Sequence, residues 1–88
     1  MPTPFRLSWS DSALRYLEQL HERAPGQAEA VVNTMEWMAE AGFALGPEVR
    51  PGRRYWPVPP QGVYYTERHR TLYVARVVDV RRRRSRHP

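Results

Sequence analysis

The stretch Phe5-Arg6-Leu7-Ser8-Trp9-Ser10-Asp11-Ser12-Ala13-Leu14-Arg15-Tyr16-Leu17 changes its apolar period part-way, and that change sets the fold. Phe5, Leu7 and Trp9 alternate with Arg6 and Ser8, the period of two of a strand with one face turned inward. Ser10 then stands where a helix N-cap is wanted, and Asp11 brings negative charge to the positive helix end. Beyond it Leu14, Leu17, Leu20 and Ala24 fall three and four apart, which predicts an amphipathic helix over Asp11 to Ala24. A strand that runs straight into a helix with one apolar stripe must share its core with that helix.

Outward from this stretch, Pro25-Gly26 ends the first helix, because Pro breaks the hydrogen-bond ladder and Gly tolerates a reversal. A second helix is expected from about Gln27 to Ala41, with Ala28, Val31, Val32, Met35, Met38 and Ala39 on one stripe and Gly42 as its C-terminal cap. The short turn makes the two helices antiparallel. Trp37 lies off the stripe, as a flanking core or partner contact. From Phe43 to Pro60, five prolines and two glycines exclude a helix. Arg54 to Val58 can form a strand, which Pro57 confines to an edge.

Val63 to Thr66 and Leu72 to Val80 are rich in β-branched and aromatic residues and predict a hairpin. The residues between them, 67–71, contain no Asn-Gly or Asp-Gly to fix a turn type. Leu72 to Val80 has apolar residues on both faces, a run that Arg76 interrupts, as for a central strand covered on both sides for part of its length. The order β-α-α-β-β-β predicts an α+β fold, with two antiparallel helices packed on a small, mostly antiparallel sheet. Residues 1–80 read as one domain, and the Arg-rich tail 81–88 as a disordered appendage.

Composition removes several chemistries from consideration. Without Cys among the 88 residues there is no disulfide, thiolate metal site or cysteine nucleophile. His21, His69 and His87 lack metal-ligand spacing, and no Gly-rich phosphate loop or nucleophile elbow occurs, so neither a metal nor a cofactor is expected. No apolar run approaches the roughly 20 residues that span a bilayer, and no secretion-signal layout opens the chain, so a soluble cytoplasmic protein without membrane contact is expected.

Charge divides the chain in two. Residues 1–48 carry three Arg against seven carboxylates, while residues 49–88 carry eleven Arg against Glu67 and Asp79 alone. No Lys contributes. The guanidinium fork donates two parallel hydrogen bonds to phosphate and stays charged at any working pH. In the basic half, Arg53, Arg54, Arg68, Arg70, Arg76, Arg81 and Arg82 are interleaved with Tyr55, Trp56, Tyr64, Tyr65, His69 and Tyr73. Cations for phosphate beside rings for bases suit single-stranded nucleic acid.

With that reading in place, the stretch Phe5 to Leu17 resembles the opening of the RelE/ParE toxins of bacterial type II toxin-antitoxin modules, with its strand and its Ala-Leu-x-x-Leu helix stripe. Val63-Tyr64-Tyr65 is similar to that family's Val-Ile-Tyr strand, and Leu72 to Val77 to its Val-Val-Val-Leu-Arg-Val strand, with Arg76 at the Arg. Gly62 stands where the family has an Arg, and Asp79 at the His of its terminal Gly-His-Arg-Arg run, of which Arg81 alone matches. The resemblance implies a toxin held inactive by a cognate acidic antitoxin and acting on the ribosome and mRNA as an endoribonuclease. The alternative it implies is a ParE-like inhibitor of DNA gyrase without nuclease activity. For cleavage, an acid or base near neutrality would be needed, which no Arg supplies. His69 is the first candidate, with Tyr64, Tyr65 and Asp79 behind it, while Arg53, Arg54, Arg76 and Arg81 would clamp the phosphate.

Overall fold

The structure is a computed structural model that describes residues 3–81. Arg82 and the rest of the basic tail, 82–88, lie outside the described residues. The elements run β1 (Arg6–Trp9), α1 (Asp11–Arg23), α2 (Pro25–Ala41), β2 (Glu48–Arg50), β3 (Arg53–Val58), β4 (Gln61–Arg68) and β5 (Thr71–Asp79). One sheet holds all five strands in the order β1-β5-β4-β3-β2. Only β1 is parallel to its neighbour, β5. The expected α+β layers are present, with one more strand than the sequence predicted: β2, three exposed residues on the outer edge.

Local chemistry explains the helix ends. The Ser10 hydroxyl accepts from Ala13 N at 3.0 Å and so caps α1. Pro25 does more than stop that helix, because it is the first residue of the next one. A proline there loses nothing, since the first N–H of a helix has no partner within it. The whole turn is therefore Ala24, and α2 begins earlier than its apolar stripe suggested. At the other end of α2, Gly42 takes φ 75° and returns its N–H to Met38 O and Ala39 O, the left-handed cap that Gly adopts without penalty.

The helices cover one face of the sheet and leave the other bare. Ala13, Leu17 and Leu20 of α1 and Val31, Met35 and Met38 of α2 meet Val63, Tyr65, Leu72, Val74 and Val77 in a single core. Besides the Tyr65 hydroxyl, the Gln61 amide is drawn into it. Gln61 is 1% exposed, accepts from Tyr16 Oη at 2.6 Å and donates from Nε2 to Gln27 Oε1 at 2.9 Å, so its amide is satisfied by both helices.

Strand β5 corrects the expectation of a strand buried on both sides. Tyr65 pairs with Val74, but Tyr64 pairs with Arg76, so Ala75 is an extra residue on β5. Such a bulge resets the alternation. Before it Leu72 and Val74 face the helices; after it Val77 does, and Arg76 is turned to the bare face. Apolar residues on even and then odd positions thus serve one face. Ser10 holds the kink in place, donating from its N to Val74 O at 2.9 Å and from its hydroxyl to Ala75 O at 2.7 Å. The same residue caps α1 and pins the bulge.

Candidate nucleic-acid interface

On the bare face the strand register gathers side chains far apart in sequence. Tyr55, Tyr64 and Arg76 are direct partners across β3, β4 and β5. Arg50 and Arg53 pair across β2 and β3 beside them. An open depression of about 840 Å³ lies here, lined by Arg50, Arg53, Tyr64 and Arg76, and continued round the end of β5 by Asp79 and Tyr16. Three guanidinium groups and two phenols meet one carboxylate in this space, so its field is positive and its donors outnumber its acceptors. That arrangement suits a phosphodiester with a base beside it.

The expected site residues separate into distinct places. Arg53, Tyr64 and Arg76 meet at the depression. Arg54, next to Arg53, points to the helix side, because strand neighbours face opposite ways. Its Nη1 donates to Gly46 O at 2.7 Å, which ties the loop after α2 to β3. Tyr65, expected to face a ligand, is fully buried in the core for the same reason. Burial pushes its phenol up to about 12, against a smaller downward pull from the Arg54 charge.

His69 and Arg70 form the two-residue loop of the β4–β5 hairpin, with φ 52° and φ 60°. Positive φ at both loop residues is the type I′ geometry that suits the twist of a hairpin, and Asn-Gly is its usual sequence. His69 is five residues along β4 from Tyr64, about 16 Å at strand spacing. It does not reach the depression, and neither does Arg68 at the same end of the hairpin. Arg70 folds back instead, its guanidinium 4.3 Å from the centre of the Phe5 ring. Asp79 and Arg81 stand at the opposite end, joined by an ion pair of 3.2 Å, and Arg81 N also donates to Asp79 Oδ1 at 2.9 Å. The hydrogen bond and then the charge of Asp79 push the Arg81 guanidinium further up, so it remains a cation.

One member of the face escapes sequence reading. Arg50 sits on a strand too short to show a period. Tyr55, one of the interleaved aromatics of the basic half, faces Tyr64 in register, with ring centres 5.0 Å apart and planes inclined at 54°.

Neither a family model nor a curated protein matches the sequence. Solved structures do match the backbone. The toxin-antitoxin complex RelBE2 from Mycobacterium tuberculosis superposes with a TM-score of 0.71 at 20% identity, over 88% of this chain and 99% of that one. The fold is that of the RelE/ParE toxins. A chromosomal ParDE system from P. aeruginosa gives a TM-score of 0.70 at 16% identity, covering 85% of this chain and 95% of its own. The YoeB dimer from Staphylococcus aureus gives 0.67 at 10% identity, over 84% and 94%. In the RelE/ParE fold of this chain, the face away from the helices carries the depression, and the strand-to-helix opening supplies the Ser10 clasp behind it.

Proposed function

We propose that the protein is the toxin of a toxin-antitoxin pair and acts as an endoribonuclease on messenger RNA held by the ribosome. The observation that carries this reading is the convergence of Arg50, Arg53 and Arg76 with Tyr64 on one open face. In such a reaction the 2′-hydroxyl of a nucleotide gives up its proton, its oxygen bonds to the neighbouring phosphorus, and the bond to the 5′-oxygen breaks. The products are a 2′,3′-cyclic phosphate and a 5′-hydroxyl. Arg76 and Arg53 would stabilise the charge gathering on the phosphate oxygens, which is the largest contribution a fixed site can make. Tyr64, directly opposite Arg76, and Asp79, at the rim, would move the proton in this reading, in place of His69, which lies outside the lining of the depression. The uneven charge of the chain fits an acidic antitoxin as the partner that covers this face.

A second reading, a ParE-like binder that inhibits DNA gyrase, has one observation in its favour: among the described residues no histidine lines the depression. Induction of the free protein in a bacterial host separates the two. The ribonuclease reading predicts that protein synthesis stops first, with new 5′-hydroxyl ends in ribosome-bound message. Arg76→Ala should then lower cleavage by about 100-fold or more, and His69→Ala should leave it unchanged. Filamentation and a DNA-damage response with translation continuing would establish the gyrase reading in its place.

A further inference from the structure

We propose that Tyr55, seated on Gly62 and flanked by Tyr64, is a stacking platform for one unpaired base of single-stranded RNA. The platform presupposes the RNA-binding face proposed above and adds to it the subsite that takes the base. Gly62 is buried directly opposite Pro57, two pairs along from Tyr55 and Tyr64 and on the same face. A Cβ at that position would stand 2.6 Å from Tyr55 Cε1 and 2.8 Å from Cζ, closer than carbon atoms approach. The Tyr55 ring therefore lies down across β4, in the space that any other residue at 62 would fill. The hydroxyl end of the ring, with Cε1 and Cζ, sits over the glycine. The residue is only half-buried, so part of the ring is open to solvent.

Tyr64 stands beside this surface at a tilt of 54°, leaving Tyr55 as a floor and Tyr64 as a wall. Arg76 follows Tyr64 on the next strand. With strands about 4.8 Å apart, Tyr55 and Arg76 are separated by roughly 10 Å across the sheet. One nucleotide spans that distance with its base on the ring and its phosphate at the guanidinium. Every base offers a flat π-face to a tyrosine, so the subsite fits an unstacked base of any identity and excludes a paired one.

A ring that only shields the glycine backbone would contribute to stability and be indifferent to bases. The distinguishing probes are a uridine hexanucleotide and the same sugar-phosphate chain without bases, titrated against the full-length protein at fixed low salt. Tyr55→Leu should weaken the hexanucleotide by about tenfold, the effect of one stacked base. Tyr55→Phe should bind within about twofold of wild type, since stacking needs the ring and not the hydroxyl. The baseless chain should be held equally by all three. A second measurement needs no substitution: a hexanucleotide carrying 5-iodouridine, irradiated on the wild-type protein, should crosslink to Tyr55. Equal affinity of wild type and Tyr55→Leu for the hexanucleotide, or a crosslink confined to other residues, would overturn the platform and leave the basic face standing. Failure of the wild type to bind either chain would overturn both.

Discussion

The two faces of the sheet are built from the same strands and have opposite contents. Toward the helices β4 and β5 present Val63, Tyr65, Leu72, Val74 and Val77, all buried; away from them they present Tyr64, Tyr73 and Arg76, all at least partly open. Adjacent residues thus have unrelated roles: Tyr65 fills the core and Tyr64 lines the depression, Arg54 braces a loop and Arg53 lines the depression with Tyr64. Position along the chain says little about role here; position in the pleat says nearly everything.

The sharpest way to break that contrast is to exchange charge across the Ala75 bulge. Val77→Glu puts an unpaired carboxylate where Val77 is 5% exposed and should destabilise the fold by about 4 kcal/mol. Against the roughly 5–15 kcal/mol typical of a domain, that leaves little folded protein. Val78→Glu, one residue on and facing the bare side opposite Gly62, should shift stability by about 0.5 kcal/mol or less. Without the bulge the order would be the reverse, since residue 78 would follow Leu72 and Val74 inward. Circular dichroism melts of both variants decide the matter.

The Arg pair offers a smaller contrast. Arg54→Glu removes the bond to Gly46 O and should cost about 1.5–3 kcal/mol of stability. Arg53→Glu should leave the melt unchanged and instead weaken single-stranded RNA at least tenfold at low salt. High salt should shrink that loss by screening the exposed charge. Equal effects of the two reversals on melting and on binding would mean that they share a face.

The smallest effect is expected at Tyr65, whose hydroxyl is buried with no hydrogen-bond partner among the described residues. Tyr65→Phe should leave stability at neutral pH unchanged or raise it by up to about 1 kcal/mol. A stronger signature lies at high pH. The buried phenol keeps its proton to about 12, whereas the unfolded chain releases it near the ordinary value of 10. Between those values the native state holds more protons, so stability must fall as pH rises from 10 through 12. The wild type should lose melting temperature over that window, and Tyr65→Phe should lose less.

Much of this arrangement is legible in the sequence, and the missing parts have physical reasons. The helices announce themselves through stripes, and Ser10 and Gly42 mark ends where capping chemistry is strong. The hairpin was visible, yet its turn was not, because His69 and Arg70 accept positive φ without the Asn-Gly that normally signals it. Strand β2 has only Val49 as an apolar residue, too little for a period. The bulge is the most instructive omission. A residue such as Ala75 has no local mark, and β5 could be read as doubly buried until its pairing with β4 showed where the alternation restarts. Once that register is known, Arg53 and Arg54, or Tyr64 and Tyr65, sort by parity alone.

The central claim, that the bare face is the functional one, is tested most directly by titrating isotope-labelled protein with a single-stranded uridine hexanucleotide and following the backbone amide resonances. The account predicts shifts concentrated at Arg50, Arg53, Tyr55, Tyr64 and Arg76, with α1, α2 and the His69–Arg70 loop unmoved. Shifts confined to the helices or to that loop, with the bare face silent, would contradict it.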